Sequence, residues 1–203
     1  MKTDVYRFEK NTAKIGEITD VVAKIAAYNG LGKDQELKLD LLSEELVEML
    51  PNLLKYGNGS FWIENEGSRY EIHAVVEPET LLPSEERARV MSVSSSGKNA
   101  AAVGIMNRIK EAAETLMANY AVTVGTSGTS ADEHDRSLHK MGGYAYAAGK
   151  GEGWSLENYR QSAKDDDEAW DELEKSIIAN LADDVTVGIL GGRVEITIKK
   201  NFR

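Results

Sequence analysis

Apolar residues recur with a helical period in the first quarter of the chain. They stand three or four positions apart and therefore lie on one side of a helix: Ile15, Ile18, Val22 and Ile25. The Asn29-Gly30 pair and Gly32 predict where this helix ends. A second such segment begins near Asp34, a suitable helix cap, and reaches about Tyr56, with a core-facing stripe of Leu39, Leu42, Leu46, Met49 and Leu53. Pro51 lies inside it and predicts a kink or a frayed last turn.

Strand-like patterns stand at both ends of the chain. Residues 4–9 are a candidate first strand. A first hairpin is predicted from residues 61–63 and 70–76, joined around Glu66-Gly67-Ser68. A second is predicted from residues 185–190 and 194–198, joined by Gly191-Gly192. The Gly57-Asn58-Gly59 triplet predicts a turn before the first hairpin.

Two further long helices are predicted, one at about 99–118 and one whose N-terminus carries the acidic run 165–168. Ser155 is placed to cap a short helix before the second of them. Their expected buried residues are Ala102, Met106, Ile109, Ala113 and Leu116 in the first and Trp170, Leu173, Ile177 and Leu181 in the second. Residues 123–153, rich in Gly, Ser, Thr and Ala, predict a flexible loop or lid insertion. The order of elements predicts a single α/β (α+β) domain over residues 1–203. We expect a two-layer sandwich, with helices on one face of a mixed, mainly antiparallel sheet.

Composition narrows the classes of function. The chain has 203 residues and a net charge of −10, from 34 acidic and 24 basic residues, so we expect it to repel nucleic acid. It contains no cysteine, which excludes disulfides, thiolate metal sites and a cysteine nucleophile. The first residues lack the apolar segment of a signal peptide, and no stretch approaches the roughly 20 apolar residues of a membrane span. We therefore expect a soluble cytoplasmic protein.

One polar face of the second helix is suited to phosphate chemistry. Glu48 and Asn52 are four residues apart and so share a side of the helix. A carboxylate and an amide in this arrangement can activate a nucleophile and hold a metal-bound phosphate. The register is open, because Glu44 or Glu45 can take the acidic position instead. A solvated acidic helix face is the alternative reading.

A second candidate lies where the small-residue segment 94–105 enters a helix. Free backbone N–H groups at such a point can receive a phosphate. The segment is not a P-loop, because Ser92 and Asn99 stand where that motif requires Gly and Ser or Thr. Ordinary capping of the helix by Ser or Asn is an equally good explanation.

These stretches resemble the ATP-binding domain of the GHKL ATPase/kinase superfamily, which includes gyrase, histidine kinases and anti-sigma-factor kinases. Glu48 and Asn52 resemble its E-x-x-x-N box. Residues 94–105 resemble its glycine box, with Asn99 and Ala101 in place of two glycines. The resemblance covers about 5–118 and 184–199 and implies a Bergerat-like fold.

The resemblance also implies roles for single residues. Glu48, or Glu45 if the register shifts, would be the catalytic base, and Asn52 would hold Mg²⁺ on the phosphates of ATP. The other expected nucleotide contacts are Glu77 at the adenine, Gly97, Lys98 and Asn99 at the phosphates, and Thr197 on the last strand. Residues 76–80 lack both glycines of the family's adenine-reading box.

Two functions follow from this reading. The first is a divergent ATP-binding regulatory protein that uses ATP and Mg²⁺ as an ATPase or protein kinase. The second is a non-catalytic protein-interaction module on the same fold, with a degenerate nucleotide site and a protein partner contacted through 123–153. A hydrolase using His134 or His139 is a distant third, since neither belongs to a recognisable metal or triad motif.

Overall fold

The chain folds into six strands and six α-helices within the part that the structure describes. The computed structural model describes residues 1–9, 14–53, 56–78, 105–126 and 153–202. The strands are β1 (Tyr6–Glu9), β2 (Tyr56–Glu66), β3 (Arg69–Pro78), β4 (Trp154–Ser155), β5 (Asp184–Leu190) and β6 (Arg193–Asn201). The helices are α1 (Ile15–Asn29), α2 (Lys33–Leu53), α3 (Ile105–Thr126), α4 (Leu156–Ser162), α5 (Asp167–Lys175) and α6 (Ile177–Leu181).

The strands form one sheet in the order β1-β2-β3-β6-β5-β4, and every pairing among the described strands is antiparallel. The β2–β3 hairpin turns at Gly67, with φ of +60°, and the β5–β6 hairpin turns at Gly191 and Gly192, with φ of +57° and +75°. Successive positive φ angles match the right-handed twist of the flanking strands, which explains the glycine pair. The predicted hairpins and the α+β class are confirmed.

The sheet has an inner face, which carries the hydrophobic core, and an outer face. Ile63, Ile72, Ile198 and Val185 are paired in register across β2, β3, β6 and β5, and all four are fully buried. The residues that alternate with them, Trp62, His73, Thr197 and Thr186, lie on the outer face because side chains of a strand alternate between faces. The helices supply the other half of the core, including Ile18, Val22, Ile25, Leu39, Leu42 and Leu46.

The first two helices follow the predicted pattern closely. The α1 stripe is buried except at Ile15, which is 39% exposed. Ile15 is the first residue of the helix, and helical side chains lean toward the N-terminus, so it extends past the packed surface. Gly30 ends α1 in the left-handed conformation, and Leu31 donates its N–H to the Ala26 carbonyl. The second helix begins at Lys33, passes through Pro51 and ends at Leu53.

The predicted turn at Gly57-Asn58-Gly59 is wrong, because these residues belong to β2. A β-bulge between Tyr56 and Asn58 absorbs the irregularity. Gly59 pairs with Phe8 of β1, and a Cβ on Gly59 would lie only 2.2 Å from the Phe8 ring. The glycine is therefore required by close packing of an aromatic ring and not by chain reversal.

The predicted C-terminal helix is two helices, which corrects its buried stripe. Ser176 separates α5 from α6, and its hydroxyl accepts a hydrogen bond from the N–H of Ala179. Leu173 is buried, whereas Trp170 and Ile177 are 46% and 47% exposed, and Ile177 is the first residue after the break. Ser155 caps α4 as predicted, by accepting a hydrogen bond from the Asn158 N–H. Asp166, in the acidic run, accepts a hydrogen bond from the Ala169 N–H at the start of α5.

The helix predicted at 99–118 is described from Ile105 and continues to Thr126. Ile109 and Ala113 are buried as expected. Residues 123–126, predicted to begin the loop, are helical, whereas 99–104 and 127–152 lie outside the described residues. Within the described ranges, no helix has the length and apolar character needed to cross a membrane.

Candidate functional site

Glu45 and Glu48 lie three residues apart on the single helix α2, as the sequence predicts. Glu48 is exposed and Glu45 is half-buried. Burial raises the pKa of the Glu45 carboxyl above its ordinary value, and the nearby negative charge of Glu48 raises it further. Asn52 lies in the last turn of the helix, and its side chain falls outside the described part of the structure.

A carboxyl group with a raised pKa beside a second carboxylate is the pattern expected of a general base, although acidic helix faces also produce it. Across the described residues, no three His, Asp or Glu side chains are grouped so that they could hold a metal ion. The described residues of this face therefore offer two neighbouring carboxyl groups on one helix.

Thr197 does not share a pocket with the α2 carboxyl groups. It lies on the outer face of β6, between Ile196 and Ile198, which point into the core. Its hydroxyl is 3.1 Å from Nδ1 of His73, and the residue is only 4% exposed. The hydroxyl is thus engaged within the sheet, on the side opposite to the core that α2 covers.

Glu77 also lies on the outer face, near the end of β3, and is exposed. Its carboxylate is 3.7 Å from Nε of Arg193 and accepts a hydrogen bond from Asn58 at 3.4 Å. These residues and Arg7 line a cleft of about 460 Å³. Glu77 is therefore held by an arginine and an amide at the sheet surface, apart from α2.

The glycine-box candidates Gly97, Lys98 and Asn99 lie outside the described residues, so the structure adds nothing to their assignment. Of the sequence-predicted residues with described side chains, only Glu45 and Glu48 are neighbours. Glu77 and Thr197 are on the other side of the sheet from them.

The outer face carries a group of interacting side chains that the sequence analysis missed. We call it the Trp62 cluster; it consists of Lys2, Trp62, Glu64, Glu71, His73, Glu195 and Thr197. The rings of Trp62 and His73 stack with centroids 4.9 Å apart and planes 7° apart. Carboxylate oxygens of Glu195 and Glu71 lie 3.4 Å from Nδ1 and 3.7 Å from Nε2 of His73. His73 is 9% exposed, so this imidazole is a nearly buried support for the indole above it.

Lys2 also lies against the Trp62 ring. Its Nζ is 4.2 Å from the ring centroid and 3.1 Å from Oε1 of Glu64, which also accepts the Trp62 indole N–H at 2.8 Å. Burial alone would raise the pKa of Glu64, but the hydrogen bonds from Lys2 and Trp62 outweigh it and hold the pKa below its ordinary value. The carboxylate is thus kept ionised beside an aromatic ring and an ammonium group.

One sequence signal could have revealed this cluster. A two-residue turn at Gly67-Ser68, one residue shorter than the predicted Glu66-Gly67-Ser68, pairs Trp62 with His73, and period-two alternation places both on the polar face of the hairpin. The contribution of β6 depends on a long-range pairing that local patterns do not specify.

Comparisons with protein families and with curated proteins found no match to this chain.

Proposed function

We propose that this chain is a protein-interaction module on a GHKL-like fold, with a degenerate nucleotide site. The observation that carries the proposal is the position of Thr197. A nucleotide held against α2 through Glu45 or Glu48 has no route to the Thr197 hydroxyl, which lies beyond the core and is bonded to His73.

The relation to the GHKL fold is supported by the order of the elements. A strand and two helices precede a hairpin, α3 follows it, and a closing hairpin inserts beside β3 in the sheet. Helices α4, α5 and α6 stand between α3 and the closing hairpin. Fold alone carries no activity, so the function is argued from the side chains.

The side chains of the outer face suit an interaction surface. Trp62 remains half-buried, and charged groups of both signs surround it, including Lys2, Glu64 and Glu71. Tryptophan is enriched among the residues that dominate protein interfaces, because it buries a large area at little cost in side-chain entropy.

A second candidate function is Mg²⁺-dependent ATP binding, with ATPase or protein-kinase activity of the GHKL type. The observation that favours it is the raised pKa of Glu45 beside Glu48. Under this alternative, Glu45 or Glu48 is the base and Asn52 contacts the metal ion, while Thr197 has no part.

Thermal melting with Mg²⁺ and a non-hydrolysable ATP analogue separates the two functions. A ligand at about 100 times its dissociation constant stabilises the native state by about 2.7 kcal/mol. We expect no Mg²⁺-dependent rise in Tm at millimolar nucleotide, for the wild type or for Asn52→Ala. A rise of several degrees that Asn52→Ala abolishes, and that Thr197→Val leaves intact, would overturn the proposal and show the ATP binding that the second function requires.

A further inference from the structure

Trp62 and Glu64 together form a site for a positively charged side chain, and the chain's own Lys2 occupies it. The ammonium group lies over the indole face and pairs with the carboxylate to which the indole N–H is also bonded. One cation therefore meets both a π face and an ionised acid, the two features that select cations over neutral groups.

The orientation of the Trp62 ring is fixed by its contact with His73 on the neighbouring strand. His73 stacks under Trp62, and Thr197 and Glu195 hold the imidazole through its Nδ1. His73 is almost fully buried, so the ring face that it covers is not open to an incoming group. A platform fixed in advance loses little conformational entropy when it binds.

Lys2 is a weakly held occupant. Its side chain is 48% exposed and that of Glu64 is 43% exposed, and ion pairs between groups this exposed contribute little to stability. The Lys2 backbone is fixed beside β2, since Thr3 donates its N–H to the Ile63 carbonyl and Asn65 donates to that of Met1, so displacement moves only the Lys2 side chain. An external cation can therefore displace it at low cost.

We propose that this site receives an arginine from a basic segment of a partner protein, which displaces Lys2. Arginine fits better than lysine because its planar guanidinium can stack on Trp62 while its N–H groups reach Glu64. Charge complementarity favours a basic partner: Glu71 and Glu195 flank the site, and the whole chain carries a net charge of −10. The inference rests on the proposed interaction function and names the chemistry of the partner.

The test is an NMR titration of the full chain with a short peptide of arginines separated by Gly-Ser, at low salt. The indole N–H of Trp62, identified by its loss in Trp62→Phe, should shift saturably, while those of Trp154 and Trp170 stay in place. Glu64→Gln should weaken binding about tenfold, the loss of one charge-assisted contact. Lys2→Ala should tighten it about threefold, because the internal competitor is gone.

Lys14 and Glu17 supply matched controls, since they form an exposed ion pair at 3.4 Å at the start of α1. Glu17→Gln and Lys14→Ala make the same changes in net charge and should alter affinity less than twofold. If the substitutions at Lys2 and Glu64 changed the affinity no more than those at Lys14 and Glu17, the attraction would be non-specific and the proposal would be overturned. Free arginine amide that binds as tightly as the peptide would also overturn it, in favour of a small-molecule cation site. Either failure is distinct from failure of the proposed function, which the nucleotide-dependent melting decides.

Discussion

Replacing Gly59 by alanine is expected to destabilise the fold by about 1–3 kcal/mol, the usual cost of overpacking a core. The new Cβ would lie 2.2 Å from Cε2 and 2.4 Å from Cζ of Phe8. The Phe8 ring has little freedom to move, because it stacks near Tyr6 at 5.8 Å and meets Tyr56 edge-on at 6.2 Å. Chemical denaturation monitored by circular dichroism would measure the loss.

Gly16→Ala is the matched control for this prediction. An added Cβ at Gly16 meets nothing within 4 Å, and the residue lies in the first turn of α1, where alanine is the better helix former. Its expected effect is neutral to stabilising. Phe8→Leu should relieve the Gly59→Ala variant, so that the two changes together cost less than their sum. If Gly59→Ala were as harmless as Gly16→Ala, the pairing of β1 with β2 would be contradicted.

Glu172→Ala is expected to destabilise the fold by about 2 kcal/mol. Glu172 of α5 accepts hydrogen bonds from Nε and Nη2 of Arg108 in α3, at 3.2 and 3.4 Å, and from the Tyr159 hydroxyl in α4, at 2.8 Å. Its side chain is 10% exposed, so removing it leaves a hydroxyl and a guanidinium without their main acceptor. Breaking a buried ion pair costs about 3–5 kcal/mol, and this figure is reduced here because Arg108 is about a third exposed.

Glu111→Ala serves as the control for Glu172. Glu111 is also an ion-pair partner of Arg108, at 3.6 Å, but it lies 46% exposed on the same helix as the arginine. Its removal is expected to change the free energy of unfolding by less than about 1 kcal/mol. Equal losses for the two variants, measured by denaturant unfolding, would contradict the view that Glu172 joins three helices.

The helices and hairpins whose signals are local were predicted correctly. The α1 and α2 stripes have a helical period over many residues, and paired or single glycines mark both hairpin turns. The errors arose where a tertiary contact overrides the local signal. Gly57-Asn58-Gly59 has the composition of a turn, but the Phe8 ring requires its last glycine in a strand.

The error in the C-terminal helices has a similar origin. The pattern favours a single continuous helix, but the Ser176 cap interrupts it and places Ile177 at the start of a new helix, where it is exposed. Trp170 lies before this break, and its indole donates to Glu174 at the surface. A serine within a helical pattern is a weak signal, because it is tolerated inside helices as well as at their starts.

The candidate site was predictable only in part. The spacing of Glu45 and Glu48 on one helix follows from sequence alone, and their proximity stands in the structure. The position of Thr197 relative to them depends on which face of β6 meets the core, and this is fixed by the pairing of β6 with β3. The alternation of Val194, Ile196 and Ile198 already assigns Thr197 to the opposite face of β6, whereas the family resemblance assigns it to the nucleotide site.

We propose that Thr197 and the α2 carboxyl groups do not act on one nucleotide. An NMR titration tests this by following the backbone amide resonances of Glu45, Glu48 and Thr197 while Mg²⁺ and a non-hydrolysable ATP analogue are added. We expect none of the three resonances to shift saturably at millimolar nucleotide. Saturable shifts of all three, with one common dissociation constant, would contradict it and restore a shared ATP site.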